Sequence, residues 1–162
     1  MTETDDRRRL SLAIDLSKQC PPSRTAFSVG AVIVDERGAE IARGFSRETP
    51  LFHAEESALS KLDPDDERLA GATLYSSLEP CTRRTSRPRS CTELIVAAGI
   101  RRVVVAWREP PVFVPDAHGV AALRAAGVTV VEFGDLAEQA AAANAHLLAA
   151  REERHEQRKD GA

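Results

Sequence analysis

Three side chains of the kind zinc favours, and one carboxylate beside them, occur in order along the chain: His53 and Glu55 within His53-Ala54-Glu55, Cys81 after Pro80, and then Cys91. Imidazole and thiolate suit zinc, and a catalytic zinc site keeps one of its four positions open for water. Bound zinc lowers the pKa of that water from about 15.7 to about 7, so hydroxide exists at neutral pH. A carboxylate within reach can then move protons. The set therefore fits metal-assisted hydrolysis. A purely structural zinc site, or a chance grouping without metal, is the plainer alternative. His-Ala-Glu alone is a weak signal and Pro-Cys a weaker one, but their ordered occurrence at a helix start and at a strand–loop–helix junction is strong.

Those junctions follow from the periodicity around them. A first helix, capped by Thr4 or Asp5, carries Leu10, Ala13, Ile14 and Ser17 on one face and ends at Pro21-Pro22. Val29 to Val34 is a β-branched apolar run that reads as a buried strand, and Ala39 to Phe45, beyond the turn Glu36-Arg37-Gly38, reads as its hairpin partner. A helix opens at His53 and runs to about Lys61, and residues 63–67 form a polar loop. Thr73 to Ser77 is a third strand. Ser90-Cys91 opens a helix through Ala98, closed by Gly99. Arg102 to Trp107 is a strand, His118 to Ala126 a helix, Val128 to Phe133 a strand, and Asp135 caps an Ala-rich last helix. Alternating strands and helices predict an α/β fold, a three-layer α/β/α sandwich around a five-stranded mixed sheet. The metal donors then sit at helix N-termini, where free N–H groups and the positive dipole end favour thiolate and an ionised Glu55.

The run Leu74-Tyr75-Ser76-Ser77-Leu78-Glu79-Pro80-Cys81, followed by a polar loop of nine residues before Cys91, resembles the deaminase of riboflavin biosynthesis. That family belongs to the cytidine deaminase-like zinc deaminases, whose signature is H-x-E followed by P-C-x-x-C. The inter-cysteine loop, Thr82-Arg83-Arg84-Thr85-Ser86-Arg87-Pro88-Arg89-Ser90, is close to the family's long loop without matching its Gly-Arg-Thr-Pro. The resemblance continues through Ala98 to Ala106 and Leu123 to Val130, and so covers roughly residues 10 to 148. It implies a cytidine deaminase-like fold, one Zn2+ per chain held by His53, Cys81 and Cys91, and Glu55 as the proton shuttle. It further implies a homodimer or homotetramer, and a separate reductase acting later in the pathway.

The pocket is rewritten relative to that family. The family's Asn-Pro-x-Val-Gly is Ala26-Phe27-Ser28-Val29-Gly30 here, its Gly-Trp-His is Gly44-Phe45-Ser46, and its Asp-Pro-Asn-Pro is Glu109-Pro110-Pro111-Val112. Phe27-Ser28-Val29-Gly30-Ala31 is also similar to a cytidine deaminase stretch. Ser46-Arg47-Glu48 stands where that family has Asn-x-Glu, so Glu48 is a candidate for a sugar hydroxyl, or else a loop acid. Phe45 is a candidate to stack on a ring, and Trp107 lies near the opening. Ala54 and Ser76 are further candidates for substrate binding. Arg83, Arg84, Arg87 and Arg89 crowd the loop, and Arg forks match phosphate oxygens. The plain reading is that a chain with 19 Arg and 3 Lys is simply Arg-rich.

Composition narrows the classes. The length of 162 residues suits a single domain over 1–150, with a charged tail at 151–162. A net charge of −3 argues against a nucleic-acid coat, and 4% aromatic content leaves no stacking platform for single strands. No apolar run nears the ~20 residues of a membrane span. The polar start lacks a signal-type stretch, which predicts a cytoplasmic protein. An odd count of cysteines argues against a disulfide framework, and Cys20 reads as a small hydrophobe. The expected substrate is a small pyrimidine-type nucleotide or nucleoside, led by the diaminopyrimidine ribose phosphate of riboflavin synthesis. A cytidine or deoxycytidylate deaminase is the alternative enzyme, and a non-catalytic binding subunit of the same fold the alternative of another class.

Overall fold

The computed structural model describes residues 1–113 and 118–151. Five strands form one mixed sheet: β1 (Gly30–Val34), β2 (Glu40–Phe45), β3 (Thr73–Leu78), β4 (Arg102–Trp107) and β5 (Thr129–Glu132). Their order is β2-β1-β3-β4-β5. β1 pairs antiparallel with both β2 and β3, while β3, β4 and β5 run parallel. β1 and β3 are buried at every position, as strands covered on both faces must be. The expected order of elements and the three layers are both present.

Helices α2 (Ala54–Leu59), α3 (Cys91–Ala97) and α4 (Gly119–Ala125) cover one face, where Ala54, Ala58, Ile95 and Leu123 share a core with Ile33, Leu74 and Val103. Helices α1 (Glu3–Ser17) and α5 (Ala137–Ala142) cover the other, where Leu10, Ile14 and Ala140 pack with Val32, Tyr75 and Val104. Two close approaches seat the elements that matter for the site. A Cβ at Gly44 would overlap the backbone of Ala54 and Ala58, so only glycine lets α2 lie flat on β2. A Cβ at Gly119 would overlap the Pro80 carbonyl, so α4 begins hard against the residue before Cys81.

The differences from expectation are at element ends. Thr2, rather than Thr4 or Asp5, caps α1: its hydroxyl accepts from the Asp5 N–H, and the Asp5 carboxylate accepts from the Thr2 N–H, each at 3.2 Å. Asp135 does not cap α5. A 3-10 turn over Gly134–Leu136 intervenes, and Asp135 instead accepts from Arg7 Nη1 at 2.6 Å. Another 3-10 turn, Glu67–Gly71, follows the polar loop and drops Leu69 into the core. Cys20 is half-buried and free. Among the described residues no helix is long and apolar enough to cross a membrane. Of the charged tail, residues 152–162 lie outside the described residues.

Candidate metal centre and active site

Three junctions on the α2/α3 face deliver the donors. His53 is the N-cap residue of α2 and Cys91 the first residue of α3. Ser90 caps α3 in a reciprocal box with Glu93, which fixes where that helix starts. Between Leu78 and Cys81 the chain passes through Glu79, a buried acid the sequence reading left without a role. Its carboxylate accepts from the Val120 N–H at 2.7 Å and the Glu109 N–H at 3.0 Å. One side chain thus ties the exits of β3 and β4 to the start of α4.

The three donor atoms converge, all within 4.8 Å of one another. His53 Nδ1 lies 3.6 Å from Cys81 Sγ and 3.4 Å from Cys91 Sγ. Tetrahedral zinc, with Zn–S of about 2.3 Å and Zn–N of about 2.0 Å, sets nitrogen and sulfur about 3.5 Å apart. The spacing therefore fits that ion without rearrangement. The Cys91 N–H, at the start of α3, donates to Cys81 Sγ at 3.4 Å. The hydrogen bond from Cys91 holds Cys81 far below the usual thiol range, against the effect of burial. The same contact, with burial and the charge of Glu55, pushes Cys91 well above it. Burial presses the His53 imidazole down, but contact with Cys81 outweighs it and the net shift is upward. A zinc ion would need both sulfurs as thiolates, so its binding would release the proton that Cys91 holds more tightly.

Glu55, in the first turn of α2, is 3% exposed. Ser76 Oγ on β3 lies 3.1 Å from Glu55 Oε1 and 2.7 Å from the Leu78 carbonyl, so its single proton serves one acceptor at a time. Burial pushes the Glu55 carboxyl above its usual range; His53 opposes this and Cys81 adds to it. The helix start was expected to favour the ionised form. Burial wins because the carboxyl is almost wholly removed from water, which penalises its charged form more than the neighbouring groups favour it.

The other expected pocket residues scatter. Ala54 and Ser76 are wholly buried, in the core and against Glu55 respectively. Phe45, expected to stack on a ring, packs on the α1 side of the sheet, away from the metal donors. Strand alternation is the reason: Gly44 faces α2, so its neighbour Phe45 faces the opposite way. Glu48 accepts from Ser57 Oγ on α2 and from Lys61 Nζ just beyond it at 2.7 Å, so both its oxygens are engaged. Arg84 and Arg87 are not free forks. Both bind Glu56, a residue absent from the sequence reading although it directly follows the motif. Arg83 and Arg89 are exposed. Trp107 and Phe113 each meet Phe27 edge-on, with ring centroids at 5.6 and 5.0 Å. Arg47, held at φ 65°, donates to the carbonyls of Pro21 and Phe27 and fastens that aromatic wall. From the other side, Asn144 pairs with both backbone groups of Ser28.

This arrangement has known counterparts. Residues 3–107 match the profile of the cytidine and deoxycytidylate deaminase zinc-binding region. Over 124 residues, 74% of this chain and 30% of the relative, the sequence is 44% identical to a diaminohydroxyphosphoribosylamino-pyrimidine deaminase of Schizosaccharomyces pombe. Over 129 residues, 77% of this chain and 34% of the relative, it is 39% identical to the riboflavin biosynthesis protein RibD of Aquifex aeolicus. The chain thus spans about a third of the length of these relatives. The structure of Acinetobacter baumannii RibD superposes with a TM-score of 0.77 at 32% identity, covering 91% of this chain and 40% of that one.

Proposed function

The chain belongs to the cytidine and deoxycytidylate deaminase zinc-binding family, with zinc as its metal, and on that premise we propose that it hydrolyses the ring amino group of a diaminopyrimidine ribose phosphate. The observation that carries the reading is the convergence of His53, Cys81 and Cys91 at zinc spacing, with the buried carboxyl of Glu55 two residues beyond His53 in the first turn of α2. The substrate named for the Schizosaccharomyces pombe relative supplies the ring and its phosphate.

In this reading His53, Cys81 and Cys91 hold the ion, and Glu55 touches the reacting atoms. When bound, zinc supplies Lewis acidity and makes a water nucleophilic at neutral pH. Glu55 takes a proton from the attacking water as its oxygen bonds to the amino-bearing ring carbon. It returns that proton to the adjacent ring nitrogen, and a further transfer lets the amine depart. One water is consumed, the exocyclic C–N bond is exchanged for C=O, and ammonia leaves. A carboxyl whose proton affinity burial has raised suits both halves of that shuttle. Ser76 holds Glu55 in place from the sheet below. Glu79, through its two backbone bonds, fixes the loop that bears Cys81. Arg83, Arg89 and the solvent-facing edge of Arg87, which is 38% exposed, are the loop cations that remain for the phosphate.

The reading also takes the chain to act in the cytoplasm as a homodimer or homotetramer, and its product to pass to a reductase. Ammonia release by the zinc-loaded protein on the diaminopyrimidine ribose phosphate tests it, with Glu55→Ala as control. Turnover that disappears in the variant, while zinc stays near one per chain, is the expected result. Absence of turnover with full zinc would move the substrate to cytidine or deoxycytidylate, which belong in the same assay.

A further inference from the structure

Between Cys81 and Cys91 the polypeptide gives up most of its contact with the interior. Arg83, Thr85, Ser86, Pro88 and Arg89 are exposed, but the Arg84 side chain is 5% exposed. Arg84 donates through Nη2 to Glu56 Oε2 at 2.7 Å and through Nε to the Arg89 carbonyl at 2.7 Å. Arg87 donates to the other Glu56 oxygen through Nε at 3.1 Å and Nη2 at 3.0 Å. Its guanidinium also sits 4.8 Å from the centre of the Phe52 ring, within cation–π range. Phe52 precedes His53, and Glu56 follows Glu55. Two arginines of the cysteine loop therefore grip the His53-Ala54-Glu55 motif at both of its ends.

A buried ion pair is a poor source of net stability, because desolvation offsets most of the attraction. What it does supply is directional, charge-assisted bonding that fixes one geometry. Here that geometry is the spacing between the segment bearing His53 and the loop bearing both cysteines. Glu56 is 8% exposed and its two oxygens are divided between two arginines, so the carboxylate is saturated. The positive charge of Arg84 is also felt at His53 and Cys91. Its Nη1 is buried and has no hydrogen-bond partner among the described residues.

We propose that Glu56, Arg84 and Arg87 form a latch that preorganises the metal centre, clamping the inter-cysteine loop onto the helix that carries His53 and Glu55. Glu56 and Arg84 are thus positioning residues, acting through the ligands rather than on the substrate. The inference rests on reading His53, Cys81 and Cys91 as the zinc ligands. It accounts for the loop's arginine content by a contact inside the protein rather than by phosphate alone.

Zinc affinity of the full chain, measured by competition with a chromophoric chelator at fixed pH, tests the latch without reference to turnover. Thermal unfolding of the metal-free protein is followed alongside. Glu56→Gln and Arg84→Gln are each expected to weaken zinc binding about 10- to 100-fold, the range found for outer-shell partners of metal ligands. The double variant should lose no more than the worse single one, because both substitutions break the same contact. Wild-type affinity in Glu56→Gln, or losses that add in the double variant, would overturn the proposal. So would a fall in metal-free stability as large as the fall in affinity, which would make the pair a fold contact only. Should Glu56→Gln not fold, Arg84→Lys carries the same comparison, keeping the charge and losing the fork. A wild-type chain that binds no zinc at all would instead remove the metal-site reading beneath it.

Discussion

Asp6 on the α1 face of the sheet and Glu55 on the α2 face are 4% and 3% exposed, yet their proton affinities move in opposite directions. Burial raises both. At Asp6 it is outweighed: Arg102 donates to both carboxylate oxygens at 3.0 and 2.8 Å, and Tyr75 Oη donates at 2.8 Å. The net shift there is downward, and the acid is held as a carboxylate. At Glu55 the charge of His53, the backbone N–H of its own residue and a contact with Cys91 oppose burial without outweighing it, and the net shift is upward. The same sheet thus buries one acid with its charge compensated and another with the compensation incomplete. The first joins α1 to the strands. The second is left able to take up and release a proton, as a general acid–base must.

The sharpest way to break this contrast is to neutralise each acid in turn. Glu55→Gln removes the shuttle and is expected to lower turnover by about 10²- to 10⁴-fold, the usual span for a general acid–base. Its unfolding temperature should stay level or rise, because an under-compensated buried carboxyl adds nothing to the fold. A variant that lost stability in step with turnover would make Glu55 another Asp6. Asp6→Asn should do the reverse. It breaks charge-assisted bonds from Arg102 and is expected to cost about 2 kcal/mol by denaturant unfolding, with turnover per folded molecule unchanged. Arg102 is itself 29% exposed, so water softens the loss.

The pH dependence sharpens the same point with a smaller effect. The folded-state pKa of Asp6 lies below its unfolded value. The stability it contributes is therefore complete above the unfolded pKa of about 3.9 and is lost as pH falls through the folded pKa. Denaturant midpoints taken from about pH 5 down to about pH 2 should fall less steeply in Asp6→Asn than in the wild type. Parallel acid limbs would mean that Asp6 is not the compensated group it is taken to be here.

How far the chain could be read without coordinates follows the same division. His53, Cys81 and Cys91 were legible as a set because few residue types can hold zinc, and the fold brings the three together. The sheet and its helices were legible from periodicity. What was hidden depended on direction or on distant pairing. The period of a strand does not say which face it turns to the site, and one residue of register sends Phe45 to the α1 side. The arginines of the cysteine loop looked free because their partner, Glu56, stands 28 and 31 residues away in sequence. Two acids in succession after His53-Ala54 were a signal that one serves the fold, but only the folded chain pairs Glu56 with arginine and, among the described residues, leaves Glu55 without one. The misplaced cap of α1 is of a lesser kind, since helix ends are uncertain by a residue or two in any sequence reading.

Ser76 offers the finest test. Among the described residues it is the one sheet hydroxyl within bonding distance of Glu55, and its proton is shared with the Leu78 carbonyl at the strand's end. Ser76→Ala removes that partner and leaves β3 otherwise intact, because the methyl fits within the space of the serine. With zinc binding untouched, turnover should fall about tenfold, the rate equivalent of one hydrogen bond near 1.4 kcal/mol. KM should hold, since the wholly buried hydroxyl cannot reach the substrate. A rise in KM at constant turnover would instead make Ser76 a substrate contact and Glu55 self-positioned. A turnover equal to wild type would mean that burial alone, with the short helix behind it, is enough to aim the carboxyl.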